Sequence, residues 1–364
     1  MEFESEIDEV LSPKKRFLIG QLGSYGDCLY ATTIARQIKT DYPQCHLTWA
    51  IGSIYRSILN GNPYVDEIWE VPLLPFGMKE CWEKFEKEAI ERKKRGEFDE
   101  VFLTQIYPNN YKNFDGTVRS SIFREYNKPI TVPVTPIIRL FPNEIQNVRE
   151  FVENNKIKEK KHVILFEASH SSGQSFVTQN FSYEVSKKLT QQIPDLCVII
   201  TSSVPLDSSD ERIIDGSILS FRENAELTKY CTLLIGCSSG ISWLCTSDWA
   251  KPLPMVQLLR GDTGAYASFV QDFKYHGINS ESIIEMTECS ANYLFECILT
   301  ILNEDFNIAR KKYHKLIRMN FKFYLGIVIF SLIRNKKFND ALLSLKFTLK
   351  RWIFCRPADY MVKY

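Results

Sequence analysis

The stretch Phe17-Leu-Ile-Gly-Gln-Leu-Gly-Ser-Tyr-Gly-Asp27 decides how this chain is read. An apolar strand runs into a glycine-rich turn, the turn ends on one carboxylate, and a helical pattern over residues 28–39 follows at once. Glycine lets the backbone turn sharply and approach a ligand closely. The helix start behind the turn offers free N–H groups and a partial positive charge. In an open α/β sheet a ligand lies outside the carboxyl ends of the strands, which is where Asp27 falls. Local pattern leaves two roles open: Asp27 caps the helix, or it acts on a bound substrate.

Working outward, strands alternate with helices. Residues 16–20, 46–51, 62–71 and 100–104 read as strands or their approach, with helical patterns over 28–39, 55–59 and 80–95 between them. The proline-bearing stretch 128–142 reads as a connection. A second series then begins: strands at 162–166, 196–201, 218–220 and 232–236, helices at 182–192 and 224–231, the turn Cys237-Ser-Ser-Gly240, a helix over 241–249 and a final strand at 254–259. This alternation predicts parallel sheets, hence an α/β protein with two Rossmann-like domains in tandem. The expected boundaries are 1–150, 151–305 and a basic helical tail over 306–364.

Neither half carries a dinucleotide fingerprint. The first turn spaces its glycines at 20, 23 and 26, and no acidic residue ends the second strand. A Gly-x-x-x-x-Gly-Lys-[Ser/Thr] phosphate loop is absent as well. With 364 residues, 45 % hydrophobic and 13 % aromatic, the chain can fill more than one core. Its ten cysteines are scattered, with no Cys-x-x-Cys pair and no zinc spacing, which argues against a structural metal and a disulfide scaffold. Reduced, buried thiols in a cytoplasmic protein are the expectation. Met1–Val10 is acidic and lacks the apolar region of a secretory signal. The longest apolar run, residues 323–333, is eleven residues and too short to span a bilayer.

A net charge of +1 hides an asymmetry. Residues 310–364 hold fourteen Lys/Arg against two Asp/Glu, and the other 309 residues carry a net of −11. Such a split implies an anionic partner for the tail: a membrane, a nucleic acid or the body itself. No known nucleic-acid module accompanies the basic charge, so no nucleic-acid partner is expected. The tail has helical apolar spacing over 321–333 and 338–354, separated by Arg334-Asn-Lys-Lys337. It reads as a helical hairpin, faintly like one tetratricopeptide unit, which cannot bury its own face. Packing on the body and lying on an anionic membrane surface, at the inner face of the plasma membrane, both stand open.

Several segments resemble the inverting glycosyltransferase family 9, best known for ADP-heptose lipopolysaccharide heptosyltransferases. They are Gly23-Ser-Tyr-Gly-Asp27-Cys-Leu-Tyr-Ala-Thr, Tyr42-Pro-Gln-Cys-His-Leu-Thr-Trp-Ala-Ile-Gly, Asn62-Pro-Tyr-Val-Asp-Glu-Ile, and Glu226-Leu-Thr-Lys-Tyr-Cys-Thr-Leu-Leu-Ile-Gly-Cys-Ser-Ser-Gly240-Ile-Ser-Trp-Leu followed by Lys251-Pro. They occur in family order over roughly residues 16–300. The resemblance implies a GT-B fold, with an acceptor on the first domain and a nucleotide-sugar donor on the second. It implies metal-independent, inverting transfer of a sugar to a surface-glycan, lipopolysaccharide-type or other glycoconjugate acceptor. Asp27 would be the general base, and the nucleotide sugar would be a co-substrate with no further cofactor. A GT-B-like nucleotide-sugar epimerase and a non-catalytic binding protein retaining the fold are the alternatives.

Ser238, Ser239 and Gly240 lie between a strand and a helix, so their N–H groups and hydroxyls either hold the donor diphosphate or only cap the helix. His170, with Gly173, Gln174 and Ser175, is a second candidate for the phosphates, and an ordinary loop histidine otherwise. Gly26, Tyr107, Asn109, Arg119 and Arg124 are candidates for the acceptor side, the alternative being solvated surface arginines. Cys28 reads as a packed thiol. Three positions depart from the family pattern: Ser238 stands where an Asp is usual, Trp243 near where a His is usual, and residues 169–180 contain no Lys or Arg. Cationic phosphate contacts are strong ones, so these departures leave the sugar unassigned.

Overall fold

The computed structural model describes residues 14–73, 77–108, 110–168, 173–261 and 266–361. The acidic N-terminal run, Asn109 and His170 therefore lie outside the described residues.

The first half holds β1 (Arg16–Gly20), α1 (Tyr25–Asp41), β2 (His46–Gly52), β3 (Glu67–Val71), α2 (Met78–Lys94), β4 (Glu100–Leu103) and α3 (Val118–Arg124). Its four strands are parallel in the order β3-β2-β1-β4. Both faces are covered, so the central strands are apolar throughout, as parallel strands are. Phe17, Leu18, Ile19, Leu47, Trp49 and Ile51 are all buried. The helical pattern at 55–59 becomes a 3₁₀ turn, Ser53–Leu59.

The second half runs α4 (Pro142–Asn154), β5 (His162–Glu167), α5 (Gln179–Gln192), β6 (Leu196–Thr201), β7 (Ile213–Asp215), α6 (Glu223–Leu227), β8 (Leu233–Gly236), α7 (Gly240–Leu244), β9 (Met255–Leu259), α8 (Phe269–Tyr275), β10 (Ile283–Thr287), α9 (Ala291–Asn303) and α10 (Phe306–Tyr313). Six parallel strands take the order β10-β9-β8-β5-β6-β7.

Several sequence expectations are corrected. The short strand lies at Ile213–Asp215, pairing with β6, and not at 218–220. The strand ending at Leu259 is not the last, because β10 completes the sheet. α7 ends at Leu244, shorter than the expected 241–249. The expected boundary at 150/151 falls inside α4. α10 is anchored to the second sheet, with Arg310 Nε donating to the Ile283 carbonyl at 3.0 Å.

Sheet order fixes where a ligand can sit. In the first sheet the chain moves from β1 out to β2 and β3, then crosses to β4 on the other side of β1. In the second it moves from β5 to β6 and β7, then crosses to β8 on the other side of β5. Each sheet therefore has a switch point beside its first strand, and crevices form at the carboxyl ends there. Asp27 follows β1, while Glu167 ends β5 and Ser238–Gly240 follow β8.

The halves are clamped together. Arg222, buried in the second half, donates to the Ser57 and Asn60 carbonyls at 2.8 Å and pairs with Glu144 at 2.7 Å. Asn147 donates to Glu223 at 2.9 Å beside it.

The tail is helical over 321–334 and 338–353, each helix containing a π turn. It packs on the body. Tyr324 and Ser344 join their hydroxyls at 2.6 Å between the two helices, and Ser344 donates on to the Phe114 carbonyl. Arg351 Nη1 reaches Thr117 at 2.8 Å, Ser120 at 2.7 Å and Asp115 at 3.3 Å. Ile130 and Met361 form a parallel bridge. No helix of the described residues is long and apolar enough to cross a membrane.

Candidate active site

A cavity of about 480 Å³ lies between the halves, where the two switch points face each other. Ser24, Tyr25, Gly26, Asp27 and Tyr30 line it from α1, and Arg119 from α3. The second half contributes Glu167, Gln174, Ser238, Ser239, Gly240, Trp243 and Asp272, with Thr201 at the end of β6 and Ser202 and Ser203 after it. Aromatic pairs close it across the domain boundary. Tyr25 stacks on Phe221 with centroids 4.2 Å apart, and Tyr30 meets Trp243 edge-on at 4.7 Å.

Asp27 occupies the third position of α1, after the N-cap Ser24. Burial pushes its carboxyl up to about 7, against a smaller stabilisation of the charged form by the Ser24 backbone amide. Both sequence readings thus meet in one residue: the carboxyl reaches back to the helix start, as an acidic third residue does, and it lines the cavity. A carboxyl that titrates near neutrality can accept a proton in one step and release it in the next.

Arg119 does not sit in solvent. It is buried, with Nη1 2.6 Å from Asp272 Oδ2 and the Val134 carbonyl as a further acceptor. Its guanidinium lies 5.5 Å from the centre of the Trp243 ring and 5.7 Å from that of Tyr30. Burial alone would raise the Asp272 carboxyl, but Arg119 and His276 hold it well below the usual carboxylate range. Arg119 is the one guanidinium or ammonium group among the described lining residues.

The donor-side loop is organised by Glu167, which sequence reasoning did not single out. This buried carboxylate accepts from the backbone N–H of Cys237 at 2.9 Å and of Ile241 at 3.0 Å, and from the Ser242 hydroxyl. Burial pushes its pKa up, favouring the neutral form, and these bonds oppose that. Gln257 accepts from the Ser238 N–H at 2.8 Å, and the Ser238 hydroxyl donates to the Ala267 carbonyl at 2.7 Å. Ser238 is therefore committed to the protein, at a φ of +50°. The N–H groups of Ser239 and Gly240 have no acceptor among the described residues. Of the three residues expected to hold phosphate, the last two keep donors to offer. Gly240 is needed for close approach: a Cβ there would meet Phe221 and the Tyr25 Cβ at 3.0 Å.

The structure does not bring every candidate to the cavity. Tyr107 is 60 % exposed and lies elsewhere. Arg124 is buried in an ion-pair network, 2.9 Å from Asp115 and 3.3 Å from Asp359, and is neither a solvated arginine nor a wall of the cleft. Gly173 has a φ of +67° with open space around it, and only its neighbour Gln174 lines the cavity. Cys28 is a buried thiol whose acidity burial suppresses, as expected of packing. Sequence signals for the missed residues exist: Glu167 ends an apolar strand, and Gln257 is the lone polar residue in Met-Val-Gln-Leu-Leu.

No protein-family model matches this sequence, and no curated protein matches it. Two Rossmann-like halves around a shared cleft define a GT-B fold, and solved structures agree. The glycosyl transferase family 9 structure from Veillonella parvula DSM 2008 is similar at a TM-score of 0.55, with 13 % identity, over 80 % of this chain and 89 % of that one. The structure of E. coli ADP-heptose lps heptosyltransferase II is similar at a TM-score of 0.51, with 11 % identity, over 80 % of this chain and 99 % of that one.

Proposed function

We propose that this chain is an inverting glycosyltransferase that moves a sugar from a nucleotide-sugar donor onto a glycan or glycolipid hydroxyl. The observation carrying the reading is the Asp27 carboxyl, lining the cavity between two GT-B halves and titrating near 7. An acceptor hydroxyl beside Asp27 gives up its proton to the carboxylate as its oxygen attacks the anomeric carbon. The glycosidic bond forms on one face, and the bond to the nucleoside diphosphate breaks on the other. Charge growing on the leaving phosphate meets the Ser239 and Gly240 N–H groups, which have no protein acceptor among the described residues. No step needs a metal ion in this scheme.

Arg119 is neutralised by Asp272, so among the described residues phosphate binding rests on neutral N–H and hydroxyl donors. The test is a thermal-shift screen of nucleotide sugars, since a ligand of the native state raises its stability, followed by transfer assays with and without acceptor. Transfer that needs an acceptor and fails in Asp27→Asn supports the reading. Conversion of donor alone would make the chain an epimerase, and binding without turnover would make it a binding protein.

A further inference from the structure

The tail hairpin has two sides with opposite fates. Its inward side is occupied: Tyr324, Val328, Leu332, Ala341, Ser344 and Thr348 are buried against the body. Its outward side is apolar and unpartnered. Eleven of the nineteen large apolar side chains exposed among the described residues fall between 321 and 354, each 38–66 % exposed. On the second helix Phe338, Leu342, Leu349 and Ile353 recur at helical spacing and form one outward stripe. Ile327 and Phe330 do the same on the first. Soluble monomers rarely expose an apolar patch of this density without a partner for it.

Charge identifies the partner. Lys322, Arg334, Lys336, Lys346 and Arg356 are exposed on or beside the same helices. The two acidic residues of the region do not offset them: Asp359 is paired with Arg124 and Lys350, and Asp340 is half-buried. An apolar stripe flanked by cations fits a lipid surface with anionic headgroups, where rings and aliphatic chains enter the acyl boundary and cations meet phosphates. Neither helix is long enough to span, so the hairpin would lie in the plane of the surface.

The tail also adjoins the cleft. Tyr266 lines the cavity, donates its hydroxyl to the Ile317 carbonyl and meets the Trp352 ring edge-on at 4.7 Å. We infer that the outward face of the 321–353 hairpin docks this protein on an anionic bilayer, leaving the cleft beside the membrane. This inference stands on the tail alone and does not require the catalytic reading.

The experiment uses the full chain and unilamellar vesicles, either of phosphatidylcholine or of equimolar phosphatidylcholine and phosphatidylglycerol. Co-sedimentation is expected with the anionic vesicles, weakened at high salt, and not with the neutral ones. The double variant Phe330→Asp/Leu342→Asp should weaken binding by roughly tenfold or more while its melting temperature stays unchanged. Lys336→Glu/Lys346→Glu should weaken it as well. These two variants alter exposed side chains, so an unfolded variant is not expected, and the charge pair remains as a second probe. No binding to anionic vesicles, or binding that ignores all four substitutions, overturns the proposal. A concentration-dependent dimer in light scattering that Phe330→Asp/Leu342→Asp dissolves would overturn it in favour of a second copy on this face.

Discussion

Arg119 gives its charge to Asp272 and not to Asp27: Nη1 lies 2.6 Å from the Asp272 carboxylate, and the guanidinium lies 5.7 Å from the centre of the Tyr30 ring, which lines the cavity with Asp27. Had the guanidinium paired with Asp27, that carboxyl would sit in the ordinary acidic range and make a poor proton acceptor at neutrality. The ion pair thus keeps the one cation among the described lining residues occupied, while burial pushes Asp27 up to about 7.

Asp27→Asn should fold, bind donor and lose turnover by about 10²–10⁴-fold, the range for a removed general base. For the wild type, kcat/KM should rise with pH through about 7 as the carboxyl deprotonates. A rate flat from pH 5.5 to pH 8.5, or a fully active Asn variant, removes Asp27 from the mechanism.

The same residue makes a stability prediction of unusual sign. Its native value lies above that of the unfolded chain, so the native state binds more protons between about 4 and 7. Stability contributed by Asp27 is present at low pH and is lost as pH rises through 7, by at most about 1.4 kcal/mol per pH unit. Asp27→Asn should therefore gain melting temperature relative to wild type at pH 8 and gain little at pH 4.5. Paired melts across that range check it, and a gain that shrinks with pH contradicts it.

Asp272→Asn should leave a buried guanidinium without its counter-ion, at a cost of about 3–5 kcal/mol. The freed charge would also act on Asp27 and move the rising limb of the rate profile toward acid. An Arg119→Met/Asp272→Asn double variant should recover much of the stability and return the limb. Denaturant melts and pH profiles of the three proteins test this; a merely structural pair would change the first and leave the second alone.

Gly240→Val should weaken nucleotide-sugar binding. Its branched side chain would push on Phe221 and Tyr25, which approach a Cβ at 3.0 Å. It would also crowd the amides that face the cavity. The crowding should lower the melting temperature somewhat, and calorimetry on the folded variant should record a loss of affinity; unaltered affinity moves the phosphates elsewhere.

Removing Arg351 tests how the tail is held. Arg351→Met deletes the bonds to Thr117, Ser120 and Asp115. Asp115 keeps Arg124 at 2.9 Å, so the loss should be nearer the lower end of the 3–5 kcal/mol range for breaking a buried pair, about 3 kcal/mol. Limited proteolysis should then cut the chain near residues 314–320 faster than in wild type.

The parts of this fold that local pattern carries were legible. β1, α1 and β2 follow from an apolar run, a glycine turn and helical spacing, and β5, β6, β8 and β9 from apolar runs of strand length. β10 was missed because Glu285 interrupts its apolar run; Ser268 and the Val270 amide, fifteen or more residues away, help make that carboxyl at home in a sheet. β7 was misplaced because a three-residue edge strand has almost no periodicity. At the site, Asp27 was found because turn and helix are contiguous with it. Glu167 was passed over, since its partners at 237–242 are brought by the sheet and not by the sequence. The burial of Arg119 and Arg124 was not foreseen for the same reason: the carboxylates they pair with, Asp272 and Asp115, are invisible to a reading of neighbours along the chain.

Asp115 and Arg351 stand 236 residues apart in sequence and meet in the interior. A ribosome delivers Asp115 long before Arg351. Throughout synthesis the first half emerges with this carboxylate lacking its second cation, and with the surface around Phe114 and Thr117 uncovered. The native arrangement there is completed only once the stretch bearing Arg351 has appeared. Interrupted translation would release a protein whose sheets are finished and whose seal is not, a species for quality control to recognise.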